Sequence, residues 1–305
     1  MKILLATQKP FTPAAVKRMR ELAESEGYQF VTLENYKNQN ELLSAVTDAD
    51  ALIVRSDTVS AEVLNVTHKL KLVVRAGSGY DNIDLKACTA RGVVVMNTPG
   101  QNSNAVAELA FLMMLYMARS GFTGKWGTEL RGKTIGLHGF GRVGRYMNEI
   151  AKGFGMTVFA FDPYVPENEM KQAGVNFCRT KEELYQNCQY VSLHIPLNDE
   201  TRKSVGYDLL KLMPPEAVLI NTARKEVIEE EGLLRIFAER PDFKYLSDIE
   251  PDNKPVFEEK YKGRFIFTAK KMGAQTEEAN ANAGIAAVKQ IIDFFKTGND
   301  KYRVN

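Results

Sequence analysis

Six residues constrain this chain more than any others: Gly139-Phe140-Gly141-Arg142-Val143-Gly144, followed 18 positions after the last glycine by Asp162. Thr134 to His138 before them reads as a short apolar strand. A helical pattern follows, and then Thr157 to Phe161, a second strand ending at the acid. Strand, glycine turn, helix, strand, acid is the arrangement that a dinucleotide requires. Gly139 permits the tight turn, Gly141 lets the backbone approach a pyrophosphate, and Gly144 lets the helix lie close to the sheet. The helix start, with Arg142 and Val143, offers unpaired N–H groups to phosphate. Asp162 suits a ribose diol and repels a 2′-phosphate, which favours NAD over NADP. The bland alternative is a glycine turn inside an α/β core.

With 305 residues the chain has room for one large domain or two moderate ones. Its 40 basic and 38 acidic side chains leave no basic tail or block, so nucleic acid is not an expected partner. Cys88, Cys178 and Cys188 show neither metal spacing nor an even disulfide framework and read as packing residues. The three histidines, His68, His138 and His194, form no zinc pattern, so no metal is expected. The start, Met1 to Ala6, is too short for a signal peptide, and the apolar run from Ala105 to Met117 is broken by Glu108 and too short to span a bilayer. These features predict a cytoplasmic protein without a membrane partner.

Apolar runs at 3–6, 52–55, 72–75 and 93–96 lack strict alternation and are separated by helical segments. They predict a parallel sheet buried on both faces. Thr12-Pro13 starts the first helix with a capping hydroxyl and a proline at the first helical position. After a turn-rich joint at Asn97 to Ser103 and a long helix over 104–119, a second series begins. Its predicted strands are 134–138, 157–161, 190–194, 217–221, 245–249 and 265–268, with helices at 142–153, 180–187, 207–212 and 230–239. The last helix runs from about Thr276 to Lys296. The fold class is therefore α/β, with two doubly wound parallel sheets.

Residues at carboxyl ends of strands carry the chemistry in such folds. Arg224, after Asn221-Thr222-Ala223, has the planar fork that suits a carboxylate. It can equally be a surface arginine paired to Glu226 or Glu229. Asp248 can orient a cation or an amide, or simply cap a loop. Lys270-Lys271 reads as a solvated rim, or as a proton carrier if a neighbouring cation depresses a lysine from its usual value of about 10.4. In the first half, Arg55-Ser56 and Arg75-Ala76-Gly77-Ser78-Gly79 can cradle an anion or form plain surface ion pairs. Met113, Met114 and Met117 read as a helix contact and Trp126 as a hinge or interface anchor. His138 reads as a core or wall residue, and His194, before Pro196, as a weak candidate for proton transfer.

These residues resemble the D-isomer-specific 2-hydroxyacid dehydrogenases, and within them the D-3-phosphoglycerate dehydrogenases. The likeness runs through Arg75 to Asp84, Asn97-Thr98-Pro99, Asn102-Ser103, Ala107-Glu108-Leu109, Glu129-Leu130, Gly132-Lys133-Thr134, the glycine fingerprint, His194-Ile195-Pro196-Leu197 with Thr201, Asn221 to Arg224, Gly273-Ala274 and Thr276 to Ala279. It covers nearly the whole chain. The resemblance implies two Rossmann-like domains with the active cleft between them: a discontinuous substrate domain of 1–97 plus 281–305, and an NAD domain of 98–280 whose long first helix commonly builds a homodimer. It implies that Arg224 binds the substrate carboxylate and polarises the carbonyl. His194, Pro196, Thr201, Thr222, Ala223 and Asp248 would line the cofactor, Asp248 at the nicotinamide amide. Arg55, Ser56, Arg75, Ala76, Gly77 and Asn102 would hold the phosphate end of 3-phosphoglycerate in a step of serine biosynthesis. No match to the family's added serine-sensing domain is expected here, nor inhibition by serine of that type.

The chain departs from the family where a histidine within Thr-Pro-His-Ile-Gly is the acid/base. Aligned on Gly273, Lys271 occupies that position, and no histidine follows residue 194. The family's paired glutamate is displaced as well: five residues past Asp248 stands Asn253, with Glu250 and Asp252 close by. The segment 120–130 is shorter than usual. A lysine-using branch of phosphoglycerate dehydrogenases fits these departures, with Asp252 the nearest candidate to face Lys271. Two alternatives remain at this stage: a glyoxylate or hydroxypyruvate reductase, and an NAD-sensing binding protein without turnover.

Overall fold

The chain resolves into two parallel-sheet units in a computed structural model that describes residues 1–305. The first comprises Met1–Asn102 and Gln275–Asn305, the second Ser103–Ala274. Both joints differ from the expected ones at 97/98 and 280/281, for local reasons. Thr98 N–H donates to the Gly77 carbonyl at 2.9 Å and Ser78 Oγ to Asn102 Oδ1 at 3.1 Å, which ties 98–102 to the first unit. Thr276 caps the last helix, and Asn280 hydrogen-bonds Arg55, so both belong there too.

The first unit runs β1 (Lys2–Thr7), α1 (Pro13–Glu24), β2 (Gln29–Glu34), α2 (Gln39–Val46), β3 (Ala51–Val54), α3 (Ala61–Asn65), β4 (Leu72–Arg75), α4 (Leu85–Ala90) and β5 (Val94–Asn97). All pairings are parallel, in the order β2-β1-β3-β4-β5. The apolar runs are buried on both faces because each face has its own helical layer. Ile3, Leu5, Ile53 and Val74 pack towards α1 and the final helix, while Leu4, Leu52, Val54 and Val73 pack towards α2–α4. This is why the strands do not alternate. Thr12 caps α1 by accepting from Ala15 N–H at 3.3 Å, and Asn38 with Glu41 forms a capping box on α2.

The second unit runs α5 (Ser103–Ala118), β6 (Thr134–His138), α6 (Arg142–Gly153), β7 (Thr157–Phe161), α7 (Glu167–Gln172), β8 (Asn176–Phe177), α8 (Lys181–Asn187), β9 (Tyr190–Leu193), α9 (Tyr207–Leu210), β10 (Val218–Asn221), α10 (Glu230–Glu239), β11 (Lys244–Ser247), α11 (Lys254–Lys260) and β12 (Phe265–Phe267). Its seven strands are all parallel, in the order β12-β11-β10-β9-β6-β7-β8. The order reverses at β6, between β7 and β9, and the Gly139 turn leaves the carboxyl end of that strand. A dinucleotide fold binds its ligand at such a switch point. Met113, Met114 and Met117 are buried in one core layer with α5 and α6, and Cys178 and Cys188 in the other with Tyr185 and Phe237.

The final helix, α12 (Glu277–Thr297), returns to the first unit, where Ala283, Ala287 and Ile291 join the layer over Ile3 and Val74. It is capped by Thr276 at its start and ends at Gly298 in the left-handed region. The three cysteines are free and buried, and no helix is long and apolar enough to cross a membrane.

Candidate active site

The glycine turn is built for close approach. Gly139 has φ +99°, and a Cβ there would meet the His194 carbonyl oxygen at 2.8 Å. A Cβ on Gly144 would meet the Gly139 carbonyl oxygen at 2.5 Å. These two glycines are required by the protein itself. Gly141 is different: nothing lies within 4 Å of where its Cβ would be. It is also the N-cap of α6 and supplies no capping side chain. That leaves an uncapped first turn beside open space, which fits a phosphate group.

Asp162 stands opposite the turn. Its Oδ2 accepts from Phe140 N–H and its Oδ1 from Tyr164 N–H, each at 2.8 Å, so the carboxylate is fixed in orientation. A pocket of about 380 Å³ opens here, lined by Gly139, Asp162, His138, His194, Pro196 and Thr201 among others. Thr201 Oγ1 donates to the Pro196 carbonyl at 2.6 Å and holds that wall. His138 is buried beside it, and His194 is partly buried with its Nε2 shielded from water. Burial pushes His138 down to about 4 and His194 down to about 3, so both rings are neutral at physiological pH. His138 Nδ1 lies 3.2 Å from the Tyr185 hydroxyl, while His194 Nε2 is buried without a hydrogen-bond partner. Held neutral, with no hydrogen-bond partner at Nε2, His194 gains no support here as a proton carrier.

A second cluster lies at the carboxyl ends of the adjacent strands β10, β11 and β12. Asn221 ends β10, and its side chain anchors the next turn by donating to the Arg224 carbonyl at 2.9 Å and accepting from Ala223 N–H at 2.9 Å. Arg224 follows, half-buried, with Nη1 donating to the Ala223 carbonyl at 3.0 Å. Asp248 follows β11 and is fully buried. Lys271 reaches in from the loop after β12. Its Nζ donates to the Ala223 carbonyl and lies 3.4 Å from the Thr222 carbonyl and 3.8 Å from Asp248 Oδ1. Thr222 Oγ1 is buried and has no partner within the chain. The structure thus brings together Arg224, Lys271, Asp248, Thr222 and Ala223. The amine of Lys271 is held below the ordinary lysine range. Partial loss of water around it is the main cause, the side chain remaining 39% exposed. The charge of Asp248 opposes the shift, Arg224 adds to it, and Glu226 opposes it.

Asp252 corrects the expectation for a carboxylate facing Lys271. It is exposed, and its Oδ1 pairs with Lys225 Nζ at 2.5 Å. Glu250 pairs with Lys254 at 2.7 Å. Both lie in the loop between β11 and α11, and the short spacer directs their side chains to the lysines of their own neighbourhood. The acid that faces Lys271 is Asp248, one residue beyond its strand.

In the first unit, the expected anion-binding residues gather at the carboxyl ends of β3 and β4. Arg75 Nε donates to the Arg55 carbonyl at 2.9 Å, and its guanidinium fills the space beside Gly77. Asn102 meets Ser78, Ala76 is buried, and Ser56 is exposed. Arg55 differs from the simplest expectation of an open fork. Its guanidinium donates to the Lys9 carbonyl at 2.8 Å, the Pro10 carbonyl at 3.2 Å and Asn280, and lies 4.9 Å from the Phe11 ring centre. Sequence reading missed what supports this corner. Asp57 is buried, with Oδ1 accepting from Tyr36 at 2.9 Å and Gln8 N–H at 2.7 Å, and Oδ2 from Arg55 N–H at 3.2 Å. Its place three residues after the apolar strand β3 was the only available signal.

Comparison with known proteins decides the family. Residues 4–305 match the model of the D-isomer specific 2-hydroxyacid dehydrogenase catalytic domain. The chain belongs to that family. It is similar to the NAD-bound 3-phosphoglycerate dehydrogenase of Entamoeba histolytica, at 47% identity and TM-score 0.90, over 100% of this chain and 98% of that one. It is 35% identical to D-3-phosphoglycerate dehydrogenase of Methanocaldococcus jannaschii, over 95% of this chain and 57% of that protein. It is 34% identical to hydroxypyruvate reductase of Thermotoga maritima, over 86% of this chain and 89% of that protein. The chain thus spans little more than half the length of the first of these curated relatives.

Proposed function

We propose that the chain is an NAD-dependent dehydrogenase that interconverts 3-phosphoglycerate and 3-phosphohydroxypyruvate, a step of serine biosynthesis, with Lys271 as its proton carrier. The observation that carries this reading is the clustering of Lys271, Arg224 and Asp248 at three adjacent strand ends, with the lysine amine held below its ordinary range. Gly141, the start of α6 with Arg142 and Val143, and the diol-accepting Asp162 would hold the dinucleotide. His194, Pro196, Thr201, Thr222, Ala223 and Asp248 would line it. Bound NAD supplies a hydride acceptor. Neutral Lys271 takes the proton of the substrate 2-hydroxyl, and Arg224 binds the carboxylate and stabilises the developing carbonyl oxygen. In the reverse direction the ammonium form of Lys271 returns the proton.

A phosphorylated substrate is supported by the two arginines and the Gly77–Ser78 turn of the first unit, with Asn102 beside them. Phosphate oxygens would take over Arg55 donors now given to the Lys9 and Pro10 carbonyls. The likeness to a hydroxypyruvate reductase makes the unphosphorylated acid the competing substrate. NADH consumption measured with phosphohydroxypyruvate, hydroxypyruvate and glyoxylate separates them. The proposal expects kcat/KM at least about tenfold higher for the phosphorylated acid, a difference of about 1.4 kcal/mol. Equal values would move the assignment to the reductases, and NADH binding without any turnover to a sensing protein. A second copy of the chain is the partner we propose for the face carrying Leu112, Tyr116, Phe122 and Trp126, which are 59%, 40%, 70% and 101% exposed. A cytoplasmic location accords with the buried free thiols of Cys88, Cys178 and Cys188.

A further inference from the structure

We infer that Asp248 is the positioning residue for Lys271: one of its carboxylate oxygens fixes the loop that carries the lysine, and the other faces the amine and stabilises its charged form. This rests on the reading of Lys271 as the proton carrier.

Asp248 Oδ2 accepts from Gly273 N–H at 2.9 Å. Gly273 is two residues beyond Lys271, so this bond fixes the base of the lysine's loop. A Cβ on Gly273 would meet the same Oδ2 at 2.9 Å and Val106 Cγ2 at 3.1 Å, so the loop approaches only because that residue is glycine. Asp248 Oδ1 is buried and accepts no hydrogen bond. The cation it faces is Lys271, with Nζ at 3.8 Å. An asparagine oxygen would accept the Gly273 N–H equally well without the cost of burying a charge. The charge has a use where a cation faces it. Among the other charged groups acting on the amine, Arg224 disfavours its protonated form and Glu226 favours it. Asp248 therefore does for this lysine what the displaced family glutamate would do for a histidine, but from a different strand end.

The test is Asp248→Asn in the full chain, with the pH dependence of kcat in the oxidative direction as the first readout. Loss of the facing charge should move the alkaline limb towards acid by about one pH unit. NADH affinity is measured alongside, because Asp248 also belongs to the proposed cofactor lining. The second readout needs no turnover: the titration of the 13C-dimethylated Lys271 amine, assigned by its absence from Lys271→Ala, should move the same way. Gly273→Ala, which displaces the loop and leaves both charges in place, should shift the limb in the same direction and covers the case of a poorly folding Asp248 variant. An unmoved limb and an unmoved resonance overturn the inference. Weaker NADH binding with an unmoved limb does so too, and assigns Asp248 to the cofactor alone. If the wild-type limb survives in Lys271→Ala, the reading of Lys271 itself has failed, whatever Asp248→Asn shows.

Discussion

At the scale of single residues, Arg224 and Asp252 make opposite predictions, although the sequence offered both as catalytic. Arg224 sits half-buried in the cluster, and its fork geometry is what a carboxylate needs. Arg224→Ala should lower kcat/KM by about a hundredfold or more, and Arg224→Lys should recover little of it, because a point charge does not replace two parallel hydrogen bonds. Steady-state kinetics on both variants checks this; full rescue by lysine would mean that charge alone is needed. Asp252→Ala should leave turnover within about twofold, since an exposed ion pair to Lys225 contributes little. The sequence named Asp248 as an acid that could orient a cation or an amide, but set Asp252 opposite Lys271. It did not reveal the partner of Lys271, because a side chain's direction out of the β11–α11 loop depends on neighbours such as Lys225 and Lys254, which are close in space rather than at a readable spacing.

At the scale of elements, the glycine turn and α6 give a contrast between stability and binding. Gly144→Ala places a methyl 2.5 Å from the Gly139 carbonyl oxygen, so it should destabilise the fold by about 1–3 kcal/mol as well as impair nucleotide binding. Gly141→Ala adds a methyl to open space, so the thermal midpoint should hold while NADH affinity falls at least about tenfold. Thermal melts paired with NADH fluorescence titrations separate the two, and equal loss of stability in both variants would contradict the account. The fingerprint was legible because its spacing encodes a steric requirement. So were the buried strands, whose runs of Val, Ile and Leu need two covering layers. The partly buried β2, the two-residue β8 and the short helices α2–α4, α7 and α11 were not assigned, because their patterns are too short or too polar to carry a period.

At the scale of the whole molecule, the buried neutral histidines tie stability to pH. In the unfolded chain each ring takes up a proton as pH falls through about 6.5. The folded rings stay neutral down to about 4 for His138 and about 3 for His194. Unfolding therefore binds protons in this window: stability is full above about pH 6.5 and falls as pH drops, by about 2 kcal/mol for each ring by pH 5. Urea unfolding at pH 7.5 and 5, compared between the wild type and His138→Gln, should show part of the pH dependence removed in the variant. Identical slopes would contradict the origin assigned here. For the proposed self-association, Trp126→Glu should lower the mass of any dimer to that of a monomer in sedimentation experiments, and an unchanged mass would rule out that face. The two-sheet architecture was readable from the succession of strands and helices. The two units meet about five residues from the expected joints, because turn residues such as those at 98–102 join whichever sheet end captures their backbone donors.

The central claim is that a lysine, in place of the family's histidine, moves the proton. The most direct test is the pH profile of 3-phosphoglycerate oxidation in wild type and Lys271→Ala, with NADH binding measured alongside. We expect the wild-type rate to rise along a limb below the ordinary lysine value of 10.5, since burial lowers the amine. In Lys271→Ala that limb should vanish and kcat should fall at least about a hundredfold while NADH still binds. A flat wild-type profile, or a limb that persists in the variant, would contradict the account.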